Sequence, residues 1–260
     1  MRITVAQIES GTDIDRNLAT IERVASQAAD AGSQLVVFPE YATYEKPRVD
    51  RSFVEHAQPR DGAIVGQLTR IARQSRIAVV AGIVEQSDDP DRAFNTLLAI
   101  DSDGAILDSY RKIHLFDCEG FKESTHIRTD PVPRSVTVVI DGVRFGLLTC
   151  YDLRFPELAR VLTEAGAQVL LVCSSWVPGP YKIGQWLTLA AARAIENSVY
   201  VVAVNQTSPA SIGHSVIVDP MGSVLEQCGE STETRTADLL PAVVAAVRAR
   251  FPVHAHRRLC

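Results

Sequence analysis

Long apolar runs are missing from this 260-residue chain, and runs such as VTVVI and QVLLVC are far too short to span a bilayer. A basic surplus is missing too: the formal net charge is −5 and no Lys/Arg cluster exceeds a few residues, so nothing marks a nucleic-acid surface. The opening MRITVAQIES has no charged start, long apolar stretch and small-residue cleavage site, so no signal peptide is expected. Cysteine is sparse, with Cys118, Cys150, Cys173, Cys228 and Cys260 and no CxxC spacing. An odd number without such pairs argues against a disulfide framework or a structural zinc site and for a reducing cytoplasm. Low-complexity segments, short-period repeats and an obvious linker are absent. No GxSxG occurs, which argues against a serine hydrolase of the α/β type.

What remains is ordinary globular composition, 46% hydrophobic and 22% charged. The length suits one domain over residues 1–260, with a C-terminal tail from about 241. Strand and helix patterns alternate. RITVAQI, QLVVF, IAVVAGIVE, QVLLVCSS and VYVVAVNQ read as buried strands, whereas 15–31, 62–76, PELARVLTEAG, GQWLTLAAARAIENS and 241–250 have helical spacing. Asp101-Ser102-Asp103-Gly104 and Asp141-Gly142 sit between strand patterns as hairpin turns. Hairpins mixed with strand–helix–strand units predict mixed sheets, and strands apolar throughout predict that both sheet faces are covered. The charged, aromatic loop from Tyr41 to Arg60 is placed to cover a site.

Three segments stop on reactive groups: QLVVFPE on Glu40, ILDSYRK on Lys112 and FGLLTC on Cys150. Singly, each has an ordinary reading. A glutamate after a strand is usually solvated, as is a lone lysine, and a cysteine in an apolar strand is usually a small buried hydrophobe, which suits Cys173. Cys150 suits it less, because Asp152, Arg154 and then Pro156 follow as a helix start would. A thiol there would feel a positive dipole favouring thiolate. His114 with Cys118 has no second pair to complete a metal site, and His214 is the one histidine suited to a Cys–His protease.

Taken together, VVFPE (36–40), YRKIHLFD (110–117), LLTCYDLRFPEL (147–158), RAIEN, VYVVAVNQ (199–206) and GHSVIVDPMG (213–222) resemble the nitrilase superfamily of carbon–nitrogen hydrolases. The resemblance runs from the first strand to about residue 225. It implies an α/β fold, a four-layer αββα sandwich with two mixed β-sheets, and carries that family's Glu-Lys-Cys triad onto Glu40, Lys112 and Cys150. It further implies Glu123 beside the lysine, with the backbone N–H of Tyr151 as oxyanion donor, and requires neither metal nor organic cofactor.

CYDLRFPEL is most similar to the branch holding ω-amidases and amidases of deaminated glutathione, whose substrates are short amides bearing a carboxylate. The expected activity is thiol-dependent hydrolysis of such an amide to acid and ammonia. Arg154, Lys182 and Arg193 are candidates to meet the carboxylate, and Trp176 to wall the pocket; each has a structural alternative. Gln185-Trp186 replaces the His-Trp of many relatives, and Cys118-Glu119-Gly120 replaces their longer insert, so the substrate side departs more than the triad. A nitrilase or N-carbamoyl-amino-acid hydrolase would use the same triad, and an inactive sandwich serving as an interaction scaffold is the non-enzyme alternative. The expected partners are a small-molecule amide and a second copy of the chain, as homodimer or higher homo-oligomer, with neither nucleic acid nor membrane.

Overall fold

The computed structural model describes residues 1–258, so Leu259 and Cys260, the last two residues of the HAHRRLC tail, lie outside it. Twelve strands form two mixed six-stranded sheets. The first sheet contains β1 (Arg2–Gln7), β2 (Leu35–Val37), β3 (Ala78–Glu85), β4 (Phe94–Ile100), β5 (Ile106–Arg111) and the last strand, β12 (Glu233–Asp238), in the order β12-β1-β2-β3-β4-β5. The second contains β6 (Thr137–Ile140), β7 (Val143–Thr149), β8 (Val169–Ser174), β9 (Tyr200–Asn205), β10 (Val216–Val218) and β11 (Val224–Gln227), in the order β11-β10-β9-β8-β7-β6.

The two sheets share one plan. From β12 to β5 the pairings run antiparallel, parallel, parallel, antiparallel, antiparallel. From β6 to β11 they run in the same sequence. The repeat is one of topology, invisible as a short sequence period.

Strand alternation decides which face each side chain serves. Val36 and Phe38 pack with Ile21, Val24, Leu68 and Ile71 of α1 (Ile14–Asp30) and α3 (Ala63–Ser75) on the outside of the first sheet. Leu35 and Val37 turn the other way, into the core shared with Phe145, Leu147 and Leu171 of the second sheet. On that sheet's outside lie α4 (Pro156–Glu164) and α5 (Lys182–Asn197), contributing Leu158, Leu162, Trp186 and Ala190. This is the four-layer αββα sandwich. Asp13 caps α1 by accepting from the Arg16 N–H at 3.0 Å, and Gly32, at φ 80°, ends the turn behind it. Short helices α2 (Arg51–Glu55) within the loop over the site, and α6 (Pro241–Arg250) and α7 (Val253–His256) in the tail, complete the described chain. No helix among the described residues is long and apolar enough to cross a membrane.

Three details differ from the sequence reading. Strand β7 ends at Thr149, and Cys150 opens a 3-10 turn, Cys150–Arg154, before α4 begins at Pro156. Strand β5 ends at Arg111, one residue before the Lys112 on which ILDSYRK was expected to stop, although the Lys112 N–H still donates to Asn95 O at 2.8 Å. Helix α5 starts at Lys182, two residues early, because Tyr181 enters it at φ 64°.

Glycine is required at Gly82 by a close approach. A Cβ there would lie 2.5 Å from the Tyr41 nitrogen and 2.7 Å from Glu40 Cα, backbone atoms that cannot yield cheaply. Gly82→Ala is therefore expected to destabilise the protein by about 1–3 kcal/mol and to displace Glu40. Denaturant unfolding and turnover, measured on the same preparation, check both effects.

Candidate active site

The carboxyl ends of β2, β7 and β8 and the segment after β5 converge on one buried cluster. Glu40, Lys112, Glu123 and Cys150 are each less than one-tenth exposed. The Lys112 ammonium donates to Glu40 Oε1 at 3.0 Å and to Glu123 Oε1 and Oε2 at 3.1 and 2.9 Å. Asn95 Nδ2 donates to both carboxylates, at 2.6 Å to Glu40 Oε1 and 3.2 Å to Glu123 Oε1. The Ser175 N–H donates to Glu40 Oε2 at 2.7 Å, the Phe116 N–H to Glu123 Oε2 at 2.7 Å, and the Tyr41 hydroxyl to Glu123 Oε1 at 3.0 Å. Every carboxylate oxygen in the cluster thus has a partner, as burial demands.

Cys150 sits at φ 49°, a left-handed conformation costly for a side-chain-bearing residue, and its Sγ faces Ser175 O at 3.8 Å. Burial, then the Glu40 charge, push its thiol well above the usual range, with Lys112 opposing. That direction is opposite to the one a helix dipole would impose. A five-residue 3-10 turn offers little dipole, and desolvation dominates. Burial acts to lower Lys112, but the Glu123 and Glu40 charges overcome it and hold the ammonium well above its usual range. Glu45, also buried, is raised well above the usual carboxylate range by burial and by Glu40.

Asp152 fixes the Cys150 turn against the Lys112 segment. Its Oδ2 accepts from the Thr149 N–H at 2.9 Å and the Tyr110 hydroxyl at 2.6 Å, while Oδ1 accepts from the His114 N–H at 3.1 Å and lies 2.7 Å from His114 Nδ1. His114 is thereby engaged and stacks on Phe155, and Cys118 Sγ contacts the Tyr151 hydroxyl at 3.9 Å. No group of three or more His, Cys, Asp or Glu side chains able to hold a metal ion occurs among the described residues.

The cluster forms the floor of a cavity of about 120 Å³ whose walls include Tyr41, Glu45, Phe116, Tyr151, Arg154, Trp176 and Lys182. The 45–49 part of the Tyr41–Arg60 loop lines its mouth. Arg154, Trp176 and Lys182 thus reach the cavity. Arg193 does not. Its Nε donates to Leu153 O at 3.0 Å and its Nη1 to Glu196 Oε1 at 2.9 Å, so it braces the Cys150 turn from α5 and has no access to a ligand. His214 also stays outside, with its carbonyl accepting from Trp186 Nε1 at 2.8 Å. Sequence reasoning missed Asn95, Glu45, Ser175 and Asp152. Only Asp152, within CYDLRFPEL, carried any local signal.

This fold with this cluster defines a hydrolase of carbon–nitrogen bonds: the Carbon-nitrogen hydrolase family matches residues 2–249, and the chain belongs to it. Among its relatives are Hydrolase Rv0480c of Mycobacterium tuberculosis, 39% identical over 269 residues and 97% of this chain and 94% of that one. The Deaminated glutathione amidase of Escherichia coli O157:H7 is 33% identical, covering 99% and 97% of the two chains. The solved structure of Saccharomyces cerevisiae Nit3, a member of branch 10 of the nitrilase superfamily, superposes with a TM-score of 0.86 at 30% identity, over 99% of this chain and 97% of that one.

Replacing Asp152 with alanine strands buried donors on Thr149, Tyr110 and His114. The expected cost is about 2–4 kcal/mol, with a fall in kcat as the Cys150 turn and Lys112 separate. Unfolding curves and steady-state kinetics measure the two.

Proposed function

We propose that the protein hydrolyses a small, carboxylate-bearing amide to the acid and ammonia through a thioester on Cys150. The observation that carries this reading is the convergence of a buried thiol, a carboxylate and a buried ammonium on one cavity floor. The relative named deaminated glutathione amidase, and the cations around the cavity mouth, support a carboxylate-bearing amide as substrate.

Sγ attacks the amide carbonyl carbon as Glu40 takes the thiol proton, so a C–S bond forms and the carbonyl oxygen becomes an oxyanion. Lys112 has three N–H bonds. One serves Glu40, one is shared by the two oxygens of Glu123, and the third is left for the oxyanion. The Tyr151 N–H, at the start of a helical turn where amides lack internal partners, is the second donor. Glu40 returns its proton to the nitrogen, the C–N bond breaks and ammonia leaves. Water then attacks the thioester while Glu40 accepts its proton. Collapse breaks the C–S bond, Glu40 reprotonates the sulfur, and the acid departs. Glu123 holds Lys112 in place throughout.

In the same reading the enzyme works in the cytoplasm as a homodimer or higher homo-oligomer, which sedimentation can assess.

Cys150→Ala is expected to abolish ammonia release from a panel of short ω-amides. Lys112→Met should lower kcat by about 10²–10³-fold, the typical loss of one oxyanion donor. Unchanged turnover in Cys150→Ala would overturn the reading, and a clear preference for a nitrile or an N-carbamoyl amino acid in the same panel would replace the substrate class.

A further inference from the structure

Besides Lys112 on its floor, five cations line the cavity, and they differ in what already holds them. Lys46 pairs with Asp50, and Lys182 lies 2.5 Å from Glu119, so both charges are answered by carboxylates. Arg48, which donates to Gly120 O at 2.9 Å and lies 4.4 Å from the Phe121 centroid, and Lys122 are both exposed to solvent, where water screens them. Arg154 is different. It is half-buried, its guanidinium lies 4.8 Å from the centroid of Trp176, and no carboxylate among the described residues comes within ion-pair distance. Its partner is neutral: Nη2 donates to Gln185 Oε1 at 2.6 Å. The side chain is thus held at two points, ring and carboxamide, without losing its charge.

We propose that Gln185 is a specificity-determining positioning residue: by holding Arg154 over Trp176 with an uncharged acceptor, it keeps a full positive charge at the cavity wall for the substrate's carboxylate. This rests on the carboxylate-bearing substrate proposed above. A carboxylate at residue 185 would have the same reach and the opposite effect, occupying Arg154 with an internal ion pair that the substrate must displace. An uncharged side chain of similar length would leave the charge but release the guanidinium from one of its two anchors.

The test compares succinamate with butanamide, primary amides of equal chain length that differ in the terminal carboxylate, in wild type, Gln185→Glu, Gln185→Met and Arg154→Met. Gln185→Glu is expected to lower the succinamate-to-butanamide ratio of kcat/KM by about three- to fivefold, the range of an exposed ion pair. The change should lie in KM for succinamate, with kcat retained, and shrink as salt is raised. Gln185→Met should lower the ratio less. If Gln185→Glu affects both substrates equally, or changes kcat and not KM, the proposal fails. If Arg154→Met collapses the ratio while Gln185→Glu leaves it intact, Arg154 receives the carboxylate and Gln185 has no part in it. If Arg154→Met leaves the ratio intact, the carboxylate reading itself fails.

Discussion

The ammonium of Lys112 is buried between two carboxylates, and the rest of the site is arranged around that fact. A buried ion is tolerated only when paired and hydrogen-bonded on every side. Here two negative charges face one positive charge, leaving one net negative charge in a closed pocket. Backbone N–H groups of Ser175 and Phe116, the Asn95 amide and the Tyr41 hydroxyl spread that charge. A further anion nearby is disfavoured. Burial first, and then the Glu40 charge, push the Cys150 thiol and the Glu45 carboxyl toward their neutral forms. In the proposed reaction Cys150 waits as a thiol beside Glu40, so the thiolate forms only as the carbonyl arrives to take up the electron pair.

The sandwich supplies these groups from both sheets. Glu40 follows β2, and Lys112 and Glu123 follow β5, all from the first sheet. Cys150 and Ser175 follow β7 and β8 of the second. Polar bonds lace the two together near the site: Gln206 Nε2 donates to Glu40 O and Ser10 Oγ at 3.0 Å each, and Gln7 Oε1 accepts from the Ser215 N–H and hydroxyl at 2.9 Å each. These groups carry no chemistry of their own. They fix where one sheet lies on the other.

How much of this was legible in the sequence follows from what each feature depends on. Helix α1 and the hairpin at Asp141-Gly142 rest on local periodicity and turn stereochemistry, with φ 49° and 75° at the two turn residues, so the chain announces them. Glu40, Lys112, Cys150 and Glu123 were found through motif context, since singly each had an ordinary reading. Asn95 was not found, because FNTLLAI reads as plain strand and its importance arises only when two distant carboxylates close on one amide. Arg193 was misread for the same reason in reverse: its charge suggested a ligand, but its helix faces the Leu153 carbonyl. A local dipole can be read from sequence, whereas the burial that raises the Cys150 thiol comes from distant segments and cannot.

The shared plan of the two sheets has a mechanical consequence. Strands β2 and β8 occupy equivalent places in the two copies, and the residues beyond their ends meet: Glu40 Oε2 takes the Ser175 N–H at 2.7 Å. That one bond spans the seam between the copies. Sliding one sheet along the other by a single strand residue, about 3.3 Å, would stretch that bond to roughly 4 Å, beyond hydrogen-bond reach. Glu40, the base of the proposed reaction, therefore acts as a gauge of how the halves are docked, and the chain cannot loosen that seam and keep Glu40 in register with the sulfur.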